Sequence, residues 1–405
     1  MSTLKKDITE LLGLQGWEII GYETTDEGLI FHIDRDRTRG FRCSGCGEIN
    51  MFAYDEYAER TVRDFHVWGK RSYLSFREAR VDCSKCGVKV EKLDWLEPYQ
   101  RMTVRYEKYL ASLCDFMPVS DVSELEGVNK DTLYRLDKKW LDWRRSLAPE
   151  DGTVRYLGID EISLRKGFKY ASVFYDLERS MVIGLVRGHK QRNVSSFLRK
   201  WGKEKCLRVE AVCSDLWSPF HNSVRLHLKN AALVFDKFHI FKYLSDAIDG
   251  VRRTEQNKAE IQGRNFIKGV RWILLKKDLD KKQSNTLKQV MELNEPIAKA
   301  MILKDDFDRF YQSETQEEAI EVLADWCEKC QESGLPHFKK LAKRLNRWKD
   351  GILAFFKYRI TNAVSEGINN KIKVIKRRSY GFHDMDYFFS KILQATGRIP
   401  RMMDI

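Results

Sequence analysis

Three acidic residues sit where a chain could share divalent cations. Asp160 closes the run Tyr156-Leu-Gly-Ile-Asp160, and Asp215 closes Val209-Glu-Ala-Val-Cys-Ser-Asp215. A carboxylate at the end of an apolar strand is costly unless a cation or donor meets it, and open α/β sheets bind ligands outside the carboxyl ends of their strands. If the two strands are parallel neighbours, ~4.8 Å apart, their aspartates can hold metal together; the alternative is two solvated strand ends. The third residue is Glu366, within Ile360-Thr-Asn-Ala-Val-Ser-Glu366. On a helix, Val364, Ile368, Ile372 and Ile375 form an apolar stripe, while Glu366, Asn369, Asn370, Lys373 and Arg377 share another face. A carboxylate beside two amides and a row of cations suits a metal ligand next to a phosphate backbone, although Lys373 could also answer a surface glutamate.

The cysteines suggest a second metal site. Cys43-Ser-Gly-Cys46 and Cys83-Ser-Lys-Cys86 each put two sulfurs on a tight turn, followed at once by Gly47 and Gly87. Four thiolates are the donor set that structural zinc selects. Cys327-Glu-Lys-Cys330 lies alone in a charged helical segment and reads as two helix-face cysteines without metal; Cys114, Cys206 and Cys213 read as small core residues.

Next come the elements that must carry these groups. Residues 28–36 and 72–82 alternate as half-buried strands and bracket the cysteine pairs. Residues 103–145 turn helical, and 118–140 suit a helix-turn-helix. There Ser120 would cap a first helix, Val122 and Leu125 face inward, Gly127 makes the turn, and Asn129 caps a second helix carrying Leu133 and Leu136. That helix would offer Lys130, Thr132, Tyr134 and Arg135 to a groove, although an ordinary helical hairpin shows the same pattern. Strands follow at 154–163, 168–176 and 181–187, with Gly167 and the Leu-Glu-Arg-Ser segment as turns. A helix at 191–204, a strand at 207–214, a helix near 217–228 and a strand at 231–235 complete a mixed α/β layer. From 237 to about 356 nothing reads as a strand. This stretch holds Arg252, Arg253, Arg264, Lys268 and Arg271 as candidate DNA contacts. Trp272 reads first as a core anchor, with base stacking as the alternative. The last 45 residues are helical and basic.

Composition narrows the partner. The chain has 405 residues, with 72 Lys and Arg against 59 Asp and Glu, a net charge of +13. That excess favours a polyanion, since bound cations release counterions from nucleic acid. No apolar run approaches the ~18 residues a membrane helix needs. Asp7 and Glu10 interrupt the weakly apolar start, so it does not read as a secretory signal. Nine cysteines, an odd count with four of them in the two N-terminal C-x-x-C pairs, suit a reducing cytoplasm better than a disulfide framework.

Read as an ordered set of motifs, the chain resembles the insertion-sequence transposases of the ISL3 family, a branch of the DDE transposases with an RNase H-like catalytic domain. The matching residues are the cysteine pairs, Gly158-Ile-Asp160-Glu, Ser214-Asp215-Leu-Trp-Ser-Pro219, Val234-Phe-Asp236-Lys-Phe-His239, Ser365-Glu366-Gly-Ile-Asn-Asn-Lys-Ile-Lys373 and Lys376-Arg-Arg-Ser-Tyr-Gly-Phe382. The resemblance implies catalytic roles for Asp160, Asp215 and Glu366 with two Mg²⁺ ions, and a helical insertion before the glutamate helix. Glu161 beside Asp160 complicates the ligand assignment. Asp236 and His239, one strand further out, are expected to orient the site or touch DNA, or else to be a helix N-cap and a buried histidine.

The implied chain is a zinc ribbon at 1–98, a helix-turn-helix at 99–150, a catalytic core at 151–239 and 356–405, and an all-helical insertion at 240–355. The implied reaction is hydrolysis at the transposon ends followed by attack of the freed 3′-hydroxyl on target DNA. Lys373, Lys376, Arg377 and Arg378 would hold phosphates, and the N-terminal modules would read terminal inverted repeats on double-stranded DNA. Two ends must be joined, so a dimer or higher assembly is expected. The rival readings are a catalytically inactive DNA-binding regulator and an RNase H-like nuclease such as a junction resolvase.

Overall fold

The computed structural model describes residues 13–148, 152–165, 169–276 and 278–405; Asp7, Glu10 and the Gly167 turn lie outside them. The chain forms two compact units, one running to Ala148 and including Ile399–Ile405, the other Pro149–Arg398.

In the first unit, β1 (Trp17–Thr25), β2 (Gly28–Arg35), β6 (Arg60–Val67) and β7 (Lys70–Phe76) form one sheet in the order β1-β2-β7-β6. Its core includes Trp17, Phe31, Leu74 and Phe76, with Trp17 edge-on to both Phe76 and Trp95. β3 (Phe41–Arg42) pairs with β4 (Ile49–Asn50). β8 (Ala79–Cys83) lies between β5 (Asp55–Glu56) and β9 (Gly87–Val90). The alternation at 72–82 is therefore two strands in two sheets, broken at Arg77 and Glu78, where the chain leaves one sheet for the other.

Three helices follow: Val104–Cys114, Val119–Glu126 and Lys130–Leu147. Gly127 turns with φ +62°, and a Cβ there would strike the Arg71 guanidinium. Asn129 caps the last helix, its side chain accepting from the N–H groups of Asp131 and Thr132, a cap worth ~1 kcal/mol. The sequence reading fails at two positions. Ser120 is not the cap, because the middle helix already starts after Pro118, and the Ser120 hydroxyl turns to Asp121. Leu125 points outward: the inward positions of this two-turn helix go to Val122 and Glu126. Glu126 tolerates burial because the Tyr106 hydroxyl donates to it at 2.8 Å and Arg63 lies 3.6 Å away.

A fully buried ion pair closes this unit. Arg144 Nη1 meets both Asp115 oxygens at 2.9 and 2.8 Å and also donates to Pro400 O at 3.2 Å. The Met402 N–H donates to Asp115 at 2.9 Å. The extreme C-terminus thus packs with the helix-turn-helix region rather than with the glutamate helix that precedes it.

The second unit is built on five strands, β10 (Tyr156–Arg165), β11 (Lys169–Asp176), β12 (Met181–Arg187), β13 (Ala211–Ser214) and β14 (Ala232–Phe235), in the order β12-β11-β10-β13-β14. The first three are antiparallel, and β13 and β14 run parallel to β10. This is the mixed sheet of an RNase H-like fold. The strand read at 207–214 is shorter, because Leu207 still ends a small helix, Lys203–Leu207, that turns Cys206 into the core; the helix read at 191–204 likewise ends at Trp201.

Pleating sorts the faces. Leu157, Ile159, Phe174 and Val212 pack with Val194, Leu198 and Phe220 on one side. Ile162, Val173 and Tyr175 meet Ile368 and Ile372 of helix Ala363–Arg378 on the other. Between β14 and that helix, residues 237–358 are helical, with no strand among those described. Their core contains Phe307, Phe310, Trp326 and Phe338, takes in Cys327 and Cys330, and is continuous with Ala211 of β13 and Val234 and Phe235 of β14.

Replacing Arg144 with alanine leaves Asp115 buried and unpaired. Urea denaturation of the full chain is expected to show a loss of about 3–5 kcal/mol in this unit, and limited proteolysis should release residues 399–405.

Candidate active site and metal centre

The pairing register brings three aspartates level. Ile159 lies beside Ser214 across β10 and β13, and Ser214 lies beside Phe235 across β13 and β14. Asp160, Asp215 and Asp236 each follow one step past this parallel pairing: Asp215 and Asp236 just beyond the ends of β13 and β14, and Asp160 midway along β10, which runs on to Arg165 beside β11 instead of closing at the aspartate as its sequence suggested. Gly158 lets the glutamate helix approach this edge: a Cβ there would stand 3.0 Å from the Ser365 hydroxyl. Ser365 is fully buried, and Glu366 follows it, exposed in the first helical turn. One turn on, Asn369 Nδ2 donates to Asp160 Oδ2 at 2.8 Å, and its Oδ1 accepts from the buried Tyr175 hydroxyl at 2.5 Å. The Asn362 N–H at the start of the same helix reaches Asp236 Oδ1 at 3.4 Å.

The aspartates are electrostatically poised for a cation. Burial pushes the Asp160 carboxyl up to about 6, with the charges of Asp215 and Glu161 adding to it and the Glu161 N–H and Asn369 opposing. Burial also raises Asp215 and Asp236, with His239 among the groups that oppose each rise. Crowded, half-desolvated carboxylates fit a divalent ion that would replace their protons. Asp160, Asp215 and Glu366 do not all lie within 4.8 Å of one another. Among the described residues only the cysteines form so tight a set.

Those cysteines meet from two hairpins. Cys43 follows β3 and Cys83 ends β8, and a bridge between Cys43 and Glu91 ties the hairpins together. All four sulfurs lie within 4.8 Å of one another, with Cys46 and Cys83 at 3.5 Å. Tetrahedral zinc at about 2.3 Å per bond would want ~3.8 Å between sulfurs. Gly47 and Gly87 take φ +77° and +69° to close the turns, and a Cβ on Gly45 would come 3.0 Å from the Cys86 sulfur. The N–H groups of Cys46 and Gly45 bring the Cys43 thiol down to about 7, whereas contact with Cys46 pushes Cys86 up to about 12. Such a set shares its protons until a metal takes their place.

Comparison with known proteins gives the family. Residues 157–392 match a transposase family, 91–141 match the helix-turn-helix domain of transposase family ISL3, and 39–86 match the zinc finger of the IS204/IS1001/IS1096/IS1165 transposases. The chain belongs to the ISL3 family of transposases. It is 31% identical over 404 residues to the transposase for insertion sequence element IS1001 of Bordetella parapertussis, covering 97% of this chain and 98% of that one. The IS1557 transposase of Mycobacterium tuberculosis is 24% identical over 391 residues, covering 89% and 87%.

In this ISL3 transposase, Lys130 and Arg135 are exposed at the start of the last helix of the helix-turn-helix, and Thr132 and Tyr134 are half-buried. Asn370, Lys373, Arg377 and Arg378 are exposed on the glutamate helix; Asn369 is buried, and Lys376 donates to Ser163 O at 3.2 Å. In the insertion, Arg253, Lys268, Arg271 and Trp272 line a cleft of about 440 Å³, and Arg264 is exposed nearby in sequence. Arg252 reaches this cleft but is 5% exposed and ion-paired with Asp249 at 2.8 Å, so burial removes it from the list of open cations. Trp272 is no core anchor: it is 72% exposed, because Leu274 takes the inward position on its short helix.

A cluster around His189 escaped the sequence reading. His189 Nδ1 lies 2.6 Å from Glu161 Oε2, and its ring stacks on Tyr170 at 4.7 Å. The indole N–H of Trp217 donates to His189 O at 3.4 Å, and the backbone N–H of Trp217 donates to Asp215 at 3.2 Å. The contact turns Glu161 toward His189. No local pattern announces it, since its members come from four separate segments.

Two outcomes follow from the electrostatics. Asp160 is charged less readily in the folded chain than in the unfolded one. Its penalty is therefore absent below about pH 4, grows as pH rises, and is complete above about pH 6. In EDTA, Asp160→Asn should melt higher than wild type at pH 7.5, and the difference should vanish near pH 4. Metal analysis should find one zinc per chain, and Cys43→Ser should lose it and weaken duplex binding while the second unit stays folded.

Proposed function

We propose that this chain cleaves DNA at the ends of an insertion sequence and joins the freed 3′-hydroxyls to target DNA. The observation that carries the reading is the convergence of Asp160 and Asp215, one step past paired parallel strands, with the Asn369 hydrogen bond that holds the Glu366 helix against them. Asp160, Asp215 and Glu366 are the residues that would hold two Mg²⁺ ions. When bound, such ions activate an attacking oxygen and stabilise a leaving one.

The chain's own groups do the rest. Asn369, anchored by Tyr175, fixes the Asp160 carboxylate. Asp236 takes the first N–H of the glutamate helix and so sets the position of Glu366, and His239 tempers the charge on Asp215. Lys373, Arg377 and Arg378 offer cations to the phosphates, with Lys376 held at the strand edge. In the first step the water oxygen bonds to phosphorus as the bond to the 3′-oxygen breaks, leaving a 3′-hydroxyl and a 5′-phosphate. In the second, that hydroxyl attacks a target phosphodiester and displaces another 3′-oxygen. No serine or tyrosine nucleophile is required.

We assign recognition of the terminal repeats to the zinc-ribbon unit and to Lys130, Thr132, Tyr134 and Arg135. Arg253, Lys268, Arg271 and Trp272 form a further DNA contact on the insertion. A homodimer or larger assembly in the bacterial cytoplasm would bring two ends together. Alanine at Asp160, Asp215 or Glu366 should each abolish Mg²⁺-dependent cleavage and strand transfer, while binding to duplex end DNA stays within about twofold of wild type. A Glu366→Ala chain that still joins ends at the wild-type rate would overturn the assignment.

A further inference from the structure

A second feature opens off the carboxylate edge. A cleft of about 600 Å³ runs between β10 and the glutamate helix. Asn369 lines it near Asp160, Ile162 and Ile372 are its apolar lining, Lys373 and Arg377 supply cations, and Tyr380 stands at the far end. The Arg377 guanidinium has no protein partner among the described residues. From Asn369 to Tyr380 the path is ~16 Å at 1.5 Å per residue.

Tyr380 is unusual in two independent ways. Its side chain is 99% exposed, so folding gains nothing from the ring. Its backbone takes φ +52°, the left-handed region that a helix end normally gives to glycine or asparagine, and a bulky residue pays about 1 kcal/mol or more to stay there. The residue is nevertheless held firmly. Its N–H donates to Arg377 O at 3.1 Å, and the Gly381 N–H donates to Lys376 O at 2.9 Å. Beyond it, Phe382 stacks on Phe388 at 4.5 Å, and Arg165 donates to Phe382 O at 2.8 Å. A backbone held on both sides in a strained conformation thus presents the Tyr380 ring openly to solvent at this end of the cleft.

We propose that this cleft binds unpaired DNA next to the scissile phosphate, with one base stacked on Tyr380. The proposal rests on the reading of the Asp160 edge as the cleavage centre. Cations along a wall suit a phosphate backbone, but an apolar lining and an open ring suit base faces, which a duplex keeps stacked inside and a separated strand exposes. The proposal therefore requires the strands to part at the cut. At ~3.4 Å per nucleotide the Tyr380 ring lies about five positions from the phosphate at Asp160, and nearer if the strand is stretched.

The test is fluorescence anisotropy of the full chain, without Mg²⁺, on a labelled oligothymidylate and on a mixed-sequence duplex. Tyr380→Ala should weaken oligothymidylate binding by about 5- to 30-fold, the loss of one stacked base, and leave the duplex within about twofold. Tyr380→Phe should keep both affinities. Tyr380→Gly relieves the backbone, so it should melt no lower than wild type yet bind oligothymidylate as weakly as alanine does, which carries the test even if the alanine chain misfolds. Unchanged oligothymidylate affinity in the glycine variant, or an equal loss on both probes, overturns the proposal. Asp160→Asn separates the two readings: continued cleavage by that variant would remove the assigned centre while leaving the Tyr380 measurement to stand or fall alone.

Discussion

The catalytic unit depends on keeping carboxylates where they are least comfortable. Asp160, midway along β10, and Asp215, just past β13, are half-buried by the sheet; the charge of Asp215 raises the cost of ionising Asp160, and those of Glu161 and Asp236 do the same to Asp215. One hydrogen bond decides whether that edge can be built: Asn369 gives its amide hydrogen to Asp160 and takes the Tyr175 hydroxyl, linking a helix to a strand 209 residues away. Without a donor of this kind the edge would be a row of like charges facing apolar side chains. With it, the Glu366 helix is registered against the sheet by a polar contact as well as by the Ile368 and Ile372 stripe, which alone would tolerate sliding.

The same trade recurs in the N-terminal unit. Four sulfurs are crowded closer than unionised thiols need, glycines accept left-handed turns to bring them there, and the buried Arg144–Asp115 pair ties the C-terminal tail to the helices. Each is a local cost offset by a partner far along the chain.

Much of this was legible in the residues. The two cysteine pairs and their following glycines announced two knuckles, and Gly127 with Asn129 announced the turn of the helix-turn-helix. The alternation at 28–36 and the stripe on the glutamate helix gave element type, because period alone separates a strand from a helix. Misreadings came where the period is too short to define a face. Leu125 lies in a helix of eight residues whose inward position was taken by a hydrogen-bonded glutamate, and Trp272 lies in one of five. Arg252 looked like a cation for DNA because its neutralising Asp249 becomes decisive only when both are buried.

The sequence by itself determined which chemistry was present: paired thiols, aspartates closing apolar runs, a glutamate helix rich in amides and cations, and an excess of positive charge. These follow from residue type and spacing along one segment. Tertiary structure alone decided which groups meet. Register set Asp160, Asp215 and Asp236 level, Gly158 admitted the glutamate helix, His189 drew Glu161 to itself, and an exposed tyrosine was fixed at the mouth of a cleft. Contacts across hundreds of residues depend on strand order and helix packing, and those are chosen by the summed burial of the whole unit rather than by any local pattern.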